Sequence, residues 1–285
     1  MSGEFRTAAD FRLGCVGGRA ALNHGGRWVD LAELTGDAGL VDVNVALSRV
    51  DTVRRAWLEC DRRDDLPVVT GAVSACVPEP RQVFAVGLNY REHAAEAGLP
   101  APVAPMVFTK FPSCITAPGS TVRLSGPKVD WEVELVVVIG AGGRDLKPAD
   151  AWDAVAALTV GQDVSDREMQ LRDTPPQFSL GKSFAGYGPL APVAVGLDAF
   201  ADVDDVGLWC SVDGELRQQG RTSDLFFSVP ELVASLSAVC ELLPGDLIFT
   251  GTPAGVGAAS GQYLTSGSVL VSGADEIGEF EIGFA

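Results

Sequence analysis

The sequence predicts an α+β protein in which β structure dominates, with a small N-terminal unit ahead of a larger core. Three observations carry this expectation. Residues 11–34, "FRLGCVGGRAALNHGGRWVDLAEL", interleave short strand-like runs with Gly17-Gly18 and His24–Gly26, the kind of turn that closes tight hairpins. From Val83 onward, short strands and glycine turns outnumber helical patterns. The stretch "VDWEVELVVVIG", Val129 to Gly140, ends apolar on both faces, as in a strand covered from both sides.

The remaining elements follow in order. Residues 44–64, beginning "NVALSRVDTVRR", have a polar helical pattern. The proline-bearing link "CVPEPRQ", Cys76 to Gln82, marks a boundary between units 1–75 and 76–285. In the core, two helices stand out. "KPADAWDAVAAL", Lys147 to Leu158, has proline in its first turn and Trp152, Val155, Ala156 and Leu158 on one side. "SVPELVASLSAVCELL", Ser228 to Leu243, opens with Ser228 and Glu231 in a capping-box spacing and stops at "PGD" before a strand-like "LIFTG". No internal repeat or low-complexity tract interrupts the chain.

The 285 residues are 47% hydrophobic and carry a net charge of −17, enough material for a sizeable core under an acidic surface. Such a surface repels nucleic acid and anionic membranes, so neither is expected as a partner. A small acidic substrate stays open, because a local cluster of cations reverses the field. Only four lysines are present: Lys110, Lys128, Lys147 and Lys182. Six scattered cysteines, without a CxxC pair, point to reduced thiols in a cytoplasmic setting. The N-terminal "MSGEFRTAADFRLG" lacks the apolar core of a signal peptide, and no apolar run is long enough to span a bilayer.

The acids of "VDWEVELVVVIG" pose the chemical question. Strand alternation puts Asp130, Glu132 and Glu134 on one face and Val129, Trp131, Val133 and Leu135 on the other. Carboxylates entering a buried strand must be hydrated, protonated, paired or bound to metal; a wet strand face is the plain alternative. Asp163, in "LTVGQDVSDRE", adds a third carboxylate at a strand end, or merely caps a turn. Three carboxylates without nearby His or Cys form a hard, all-oxygen donor set suited to Mg²⁺, Mn²⁺ or Ca²⁺ rather than Zn²⁺. His93 and Glu96 are three apart on a helical pattern, so Glu96 can orient the imidazole as a water-activating base, or the two form an ordinary surface pair. Lys182, in glycine-rich "QFSLGKSFAGYGPLAP", is either an oxyanion donor or a surface lysine. The turn "FTGTPAGVG" exposes backbone N–H groups and Thr252, which can cradle an anion.

Rival motifs fail. "IGAGGRD" has Asp145 where a dinucleotide fingerprint needs glycine, and neither a P-loop nor a G-x-S-x-G elbow is present.

Seven segments, in order, resemble the fumarylacetoacetate hydrolase family across roughly residues 80–285: "VGLNYREHAAEAG", "MVFTKFPSCITAPGS", "VDWEVELVVVIG", "GQDVSDRE", "GKSFAGYGPLAP", "DGELRQQGRTSDLFFSVPELVASLS" and "LLPGDLIFTGTPAGVG". The first 75 residues are similar to the small, variable domain that precedes the core in many members. The resemblance implies a mixed β-roll core, a homodimer, and one divalent metal held by Glu132, Glu134 and Asp163. Mg²⁺ or Mn²⁺ would serve in use, and Ca²⁺ could take the place in a crystal. Asn89 stands where longer members have a fourth carboxylate, leaving three protein ligands. Asp130 is left facing solvent or behind the ligands. The same resemblance implies His93 and Glu96 as a catalytic dyad on a lid, Lys182 and Gln177 facing substrate, and Thr252 binding a carboxylate. It leaves Arg167 between substrate contact and structural pairing. Phe178 replaces the aromatic of the commoner "QW" form.

The leading expectation is therefore a hydrolase of carbon–carbon bonds in a small β-dicarbonyl or 2-oxo acid, with a metal-stabilised enolate leaving and a His93-activated water attacking. On the same scaffold, a 2-oxo acid decarboxylase, a 2-hydroxyhepta-2,4-dienedioate-type isomerase or a lyase is the alternative. A non-catalytic metal- and ligand-binding dimer is the alternative of another class.

Overall fold

The computed structural model describes residues 10–96 and 98–285; the first nine residues of the stretch read above as lacking a leader lie outside the described residues. Two open mixed sheets carry the fold. The larger has nine strands in the order Arg27–Asp30, Arg19–His24, Arg12–Val16, Ala194–Gly196, Val155–Gln162, Val133–Ile139, Leu247–Phe249, Val83–Gly87 and Met106–Thr109. The second runs Glu215–Arg221, Gly207–Val212, Val269–Ala274, Gly278–Phe284 and Thr121–Val122. Most neighbours are antiparallel; Leu247–Phe249 lies parallel to Val83–Gly87 and Gly278–Phe284 parallel to Thr121–Val122. This is the mixed, mainly β architecture that the sequence predicts, with neither sheet closed into a barrel.

The N-terminal hairpins form at the predicted places. Gly17 and Gly18 have φ of 58° and 77°, and Gly25 and Gly26 have 57° and 77°, the left-handed pair that a two-residue hairpin turn requires. The strand Val133–Ile139 is buried throughout and pairs with strands on both sides. Its faces part as alternation demands. Val133, Leu135, Val137 and Ile139 pack with Leu208, Leu270 and Ile282 of the second sheet and with Leu232 and Leu236. Val136 and Val138 join Leu31, Leu47, Val53 and Trp57 of the N-terminal layer.

Three helical expectations are corrected. Lys147–Leu158 is helical only as far as Ala154; Val155–Gln162 is a strand registered against Val133–Ile139. "AWDAVAAL" satisfies both a helical and a buried-strand pattern, and the ladder with a long apolar partner outweighs the local preference. Residues 44–64 form two helices, Val43–Leu47 and Val50–Cys60, broken at Ser48-Arg49. The helix expected over Ser228–Leu243 ends at Ser237, its start fixed by the Ser228 N–H donating to Glu231 Oε2 at 2.8 Å. Among the described residues, no helix is long and apolar enough to cross a membrane.

The N-terminal strands share the large sheet with the later chain, Arg12 facing Val195 and Leu13 facing Ala194. We propose that residues 76–285 depend on this layer. Deleting residues 1–75 would uncover Val138 and Phe249 and open the edge of Ala194–Gly196. The expected product is an aggregating, loosely packed core by size exclusion and near-ultraviolet dichroism. A monodisperse truncated protein with an unchanged melting temperature would refute the dependence.

All six thiols are free; Cys15, Cys60, Cys76, Cys114 and Cys210 are buried and Cys240 partly exposed. Burial pushes Cys60 and Cys76 up to about 11 and Cys210 up to about 12. Little thiolate forms on them near neutrality. Iodoacetamide at pH 8 should therefore label Cys240 alone in the native protein and all six after denaturation, as read by mass spectrometry. Rapid native labelling of Cys60 or Cys210 would contradict this.

Candidate metal centre and active site

The acids stand at a break in the buried strand. Val129–Asp130 pairs with Ser165–Asp166, and the main ladder resumes at Val133. Backbone donors at the break are taken by side chains: Trp131 N–H by Asp130 Oδ1 at 2.8 Å, Glu132 N–H by Gln162 Oε1 at 2.8 Å, and Val133 N–H by Gln218 Oε1 at 3.0 Å. Gln162 and Gln218 are themselves buried. Buried N–H groups need such partners, so the two glutamines set the backbone from which Glu132 and Glu134 project.

Glu132, Glu134 and Asp163 converge, each offering an oxygen within 4.8 Å of the others. Asp163 arrives because its N–H donates to the Glu132 carbonyl at 2.9 Å, one residue past the strand Val155–Gln162. Three cations meet this cluster. Lys182 Nζ donates to Glu132 Oε2 at 2.7 Å, Asp163 Oδ2 at 2.6 Å and Ser165 Oγ at 2.8 Å. Lys110 Nζ donates to Asp163 Oδ1 at 2.7 Å and to the Lys182 carbonyl. Arg167 lies 2.7 Å from both Asp130 Oδ2 and Glu132 Oε1.

These contacts leave one acid without a cation. Glu134 is buried, and its contact is the Gly251 N–H, which donates to Oε2 at 2.7 Å. Burial, with the charges of Asp163 and Glu132, raises its carboxyl well above the usual range. Burial would raise Glu132 too, but Lys182 and Arg167 hold it well below the usual range. Four buried carboxylates (Asp130, Glu132, Glu134, Asp163) thus face three cations (Lys110, Arg167, Lys182), an excess of one negative charge when all are ionised. An all-oxygen donor set with surplus negative charge fits a hard divalent cation.

Asp130 does not face solvent, one of the two alternatives left to it. It is fully buried, accepts from the N–H groups of Gly257 at 2.7 Å and Ala258 at 2.9 Å, and braces Arg167 against Glu132. Arg167 makes these structural pairs and also lines the cavity, so both roles left to it fit its position. Asn89 clamps two loops: its amide donates to the carbonyls of Phe227 at 3.0 Å and Thr250 at 2.9 Å, and its oxygen accepts from Phe227 N–H.

His93 and Glu96 come together on the helix Arg91–Glu96, with Nδ1 and Oε2 3.4 Å apart, at the long end for a hydrogen bond. The Gly255 N–H donates to Glu96 at 3.1 Å, tying this helix to the turn after Thr252. His93, Glu132, Glu134, Lys182 and Thr252 line one cavity of about 120 Å³, closed by apolar Leu88, Met106, Phe108 and Phe178. Thr252 has its hydroxyl engaged: it donates to the Val133 carbonyl and accepts from Gln218, both at 2.8 Å. Gln177 is exposed and outside this cavity; its oxygen accepts from Ser179 N–H at 2.9 Å, capping the short helix Phe178–Gly181. The ring of Phe178 forms the wall there instead.

Sequence reasoning missed Lys110, Gln170, Gln162 and Gln218. Lys110 had a signal, as one of four lysines and directly after the strand Met106–Thr109. Gln162 ends an otherwise nearly apolar buried strand. Gln170, which accepts from Arg167 Nη1 at 2.9 Å and lines the cavity, carried no local mark.

The fumarylacetoacetate (FAA) hydrolase C-terminal profile matches residues 82–284. A Burkholderia ambifaria protein named as a candidate hydrolase is 41% identical over 266 residues, covering 90% of this chain and 91% of its own. The crystal structure of a candidate HpcE protein from Mycobacterium smegmatis is 44% identical with a TM-score of 0.89, covering 96% of this chain and 99% of the other. That of maleylpyruvate hydrolase from Sphingobium sp. SYK-6, in complex with manganese(II) and pyruvate, is 26% identical with a TM-score of 0.79, covering 96% and 98%. With the profile matching residues 82–284 and relatives more than 40% identical over at least nine-tenths of its length, the chain belongs to the fumarylacetoacetate hydrolase family.

Proposed function

We propose that the protein is a divalent-metal-dependent hydrolase cleaving a carbon–carbon bond in a small β-dicarbonyl or 2-oxo acid of the acylpyruvate type. The observation that supports it most is one small cavity lined by Glu132, Glu134 and the imidazole of His93, with Asp163 converging on the two glutamates from behind the wall. Glu132, Glu134 and Asp163 would hold Mg²⁺ or Mn²⁺, which supplies Lewis acidity toward the oxygens of a 2-oxo acid. The manganese and pyruvate in the Sphingobium relative support this choice of ion and head group.

The chain's own residues do the rest. His93, oriented by Glu96, takes a proton from water, and the oxygen adds to the carbonyl distal to the 2-oxo acid. The bond from that carbonyl carbon to the methylene breaks, its electron pair staying with the methylene carbon, which then takes up a proton. Water and acylpyruvate thereby become a carboxylate and a 2-oxo acid. Asp130 and Arg167 hold Glu132 in place, while Lys182 and Lys110 hold Asp163. The apolar walls limit competing water at the reacting carbon.

The test is acetylpyruvate cleavage with Mg²⁺, Mn²⁺ or chelator, in wild type and His93→Ala, beside oxaloacetate decarboxylation. The expected result is metal-dependent cleavage that falls about 10²–10⁴-fold in His93→Ala. Oxaloacetate decarboxylation that survives His93→Ala, without acylpyruvate cleavage, would replace the hydrolase with a decarboxylase.

A further inference from the structure

Past the inner cavity, the walls change character. A second chamber of about 330 Å³ shares His93, Arg167 and Gln170 with the first, and its outer walls are Leu171, Val256, Ala258 and Ala259, with Glu96. A substrate whose head lies at the acid cluster would send its tail there.

Apart from the imidazole of His93, which lies against Glu96, no wall of either chamber offers an unpaired cation among the described residues. Lys182 directs its three donors to Glu132, Asp163 and Ser165. Arg167 is held by Asp130, Glu132 and Gln170. The one other charge facing the outer chamber is that of Glu96. Arg217 lines an adjoining depression that shares Glu96, Val256 and Ala259 with this chamber and pairs with Glu215 at 2.8 Å, and Arg172, next to Leu171 in the chain, pairs with Asp173 at 3.0 Å. A terminal carboxylate in the outer chamber would lose water, meet a like charge and gain no partner. An alkyl or aryl tail would instead bury against Leu171 and Val256.

Resting on the reading of a 2-oxo acid head, we propose that the substrate's tail is uncharged and apolar, so that this enzyme selects monocarboxylic 2-oxo acids against those bearing a second, distal carboxylate. Specificity here comes from withholding a cation and presenting Glu96, a negative element aimed at the diacid.

Calorimetric titration of the Mn²⁺-loaded protein with 2-oxohexanoate and 2-oxoadipate tests this. The two share head and carbon number and differ in the terminal carboxylate, and neither carries the second carbonyl needed for cleavage, so affinity alone is read. The expected result is at least tenfold tighter binding of 2-oxohexanoate, a narrower gap in Glu96→Gln, and at least a fivefold gain for 2-oxoadipate in Leu171→Arg, a change at an exposed position. Equal or tighter binding of 2-oxoadipate by wild type overturns the inference, as does failure of both acids to bind. Preference for 2-oxohexanoate in a protein that leaves acetylpyruvate intact would sustain the inference while removing the hydrolase reading. Acetylpyruvate cleavage without the preference would do the reverse.

Discussion

Glu134→Gln is expected to raise the thermal stability of the metal-free protein and to remove its response to divalent cations. In the metal-free state Glu134 is the acid that the three cations leave uncompensated, with Asp163 and Glu132 close by. The amide keeps an oxygen to accept from Gly251 and presents donors to its neighbours, so the repulsion goes. The same change deletes an anionic oxygen of the proposed ligand set, for which a loss of metal affinity on the order of 100-fold or more is expected. The pH dependence has a definite sign. Because the folded-state value of Glu134 is raised, the folded protein keeps a proton that the unfolded chain releases. That contribution to stability is full below the ordinary carboxylate value and is lost as pH climbs through the raised one. Melting curves of chelator-treated protein from pH 5 to 8 should fall with pH in wild type and less so in Glu134→Gln, with added Mn²⁺ rescuing wild type alone. A variant less stable than wild type without metal would refute this account of the charge balance.

Lys110→Met should destabilise the metal-free protein by about 3–5 kcal/mol, the usual cost of removing one partner from a buried ion pair. Lys110 and Asp163 are both fully buried, 2.7 Å apart, and Lys110 also satisfies the Lys182 carbonyl. Lys110 is not part of the cavity wall, so the loss is one of positioning. Two signatures separate it from a simple packing defect. Saturating divalent metal should restore part of the stability, because it returns positive charge to Asp163. Lys110→Met with Asp163→Asn should also cost less than the two single changes summed, since the double variant removes both members of the pair and leaves neither buried without the other. Urea unfolding of the four proteins, with and without Mn²⁺, gives the cycle; a loss below about 1 kcal/mol in Lys110→Met would show that Lys182 alone suffices for Asp163.

Much of the site was legible locally because strand and helix periods are local. Alternation correctly put Glu132 and Glu134 on the face opposite Val133 and Leu135, and helical spacing correctly brought Glu96 to His93. Where one segment satisfied two periods, locality failed. Lys147–Leu158 reads as a helix until a partner strand claims Val155 onward. Gln177 and Phe178 are adjacent, and nothing in their order tells which side chain turns to the cavity and which caps the helix.

By itself, then, the sequence determined the glycine hairpins, the strand buried on both faces, the acid alternation and the His–Glu pair, each set by backbone dihedrals over a few residues. Only the tertiary structure decided which cation meets which acid. Lys110 and Asp163 are 53 residues apart, and Lys182 and Glu132 are 50 apart. It also decided that Glu134 is left over, and that Asp130 braces Arg167 rather than facing water. Charge compensation acts through a few ångströms of space and burial, and neither is a property of spacing along the chain.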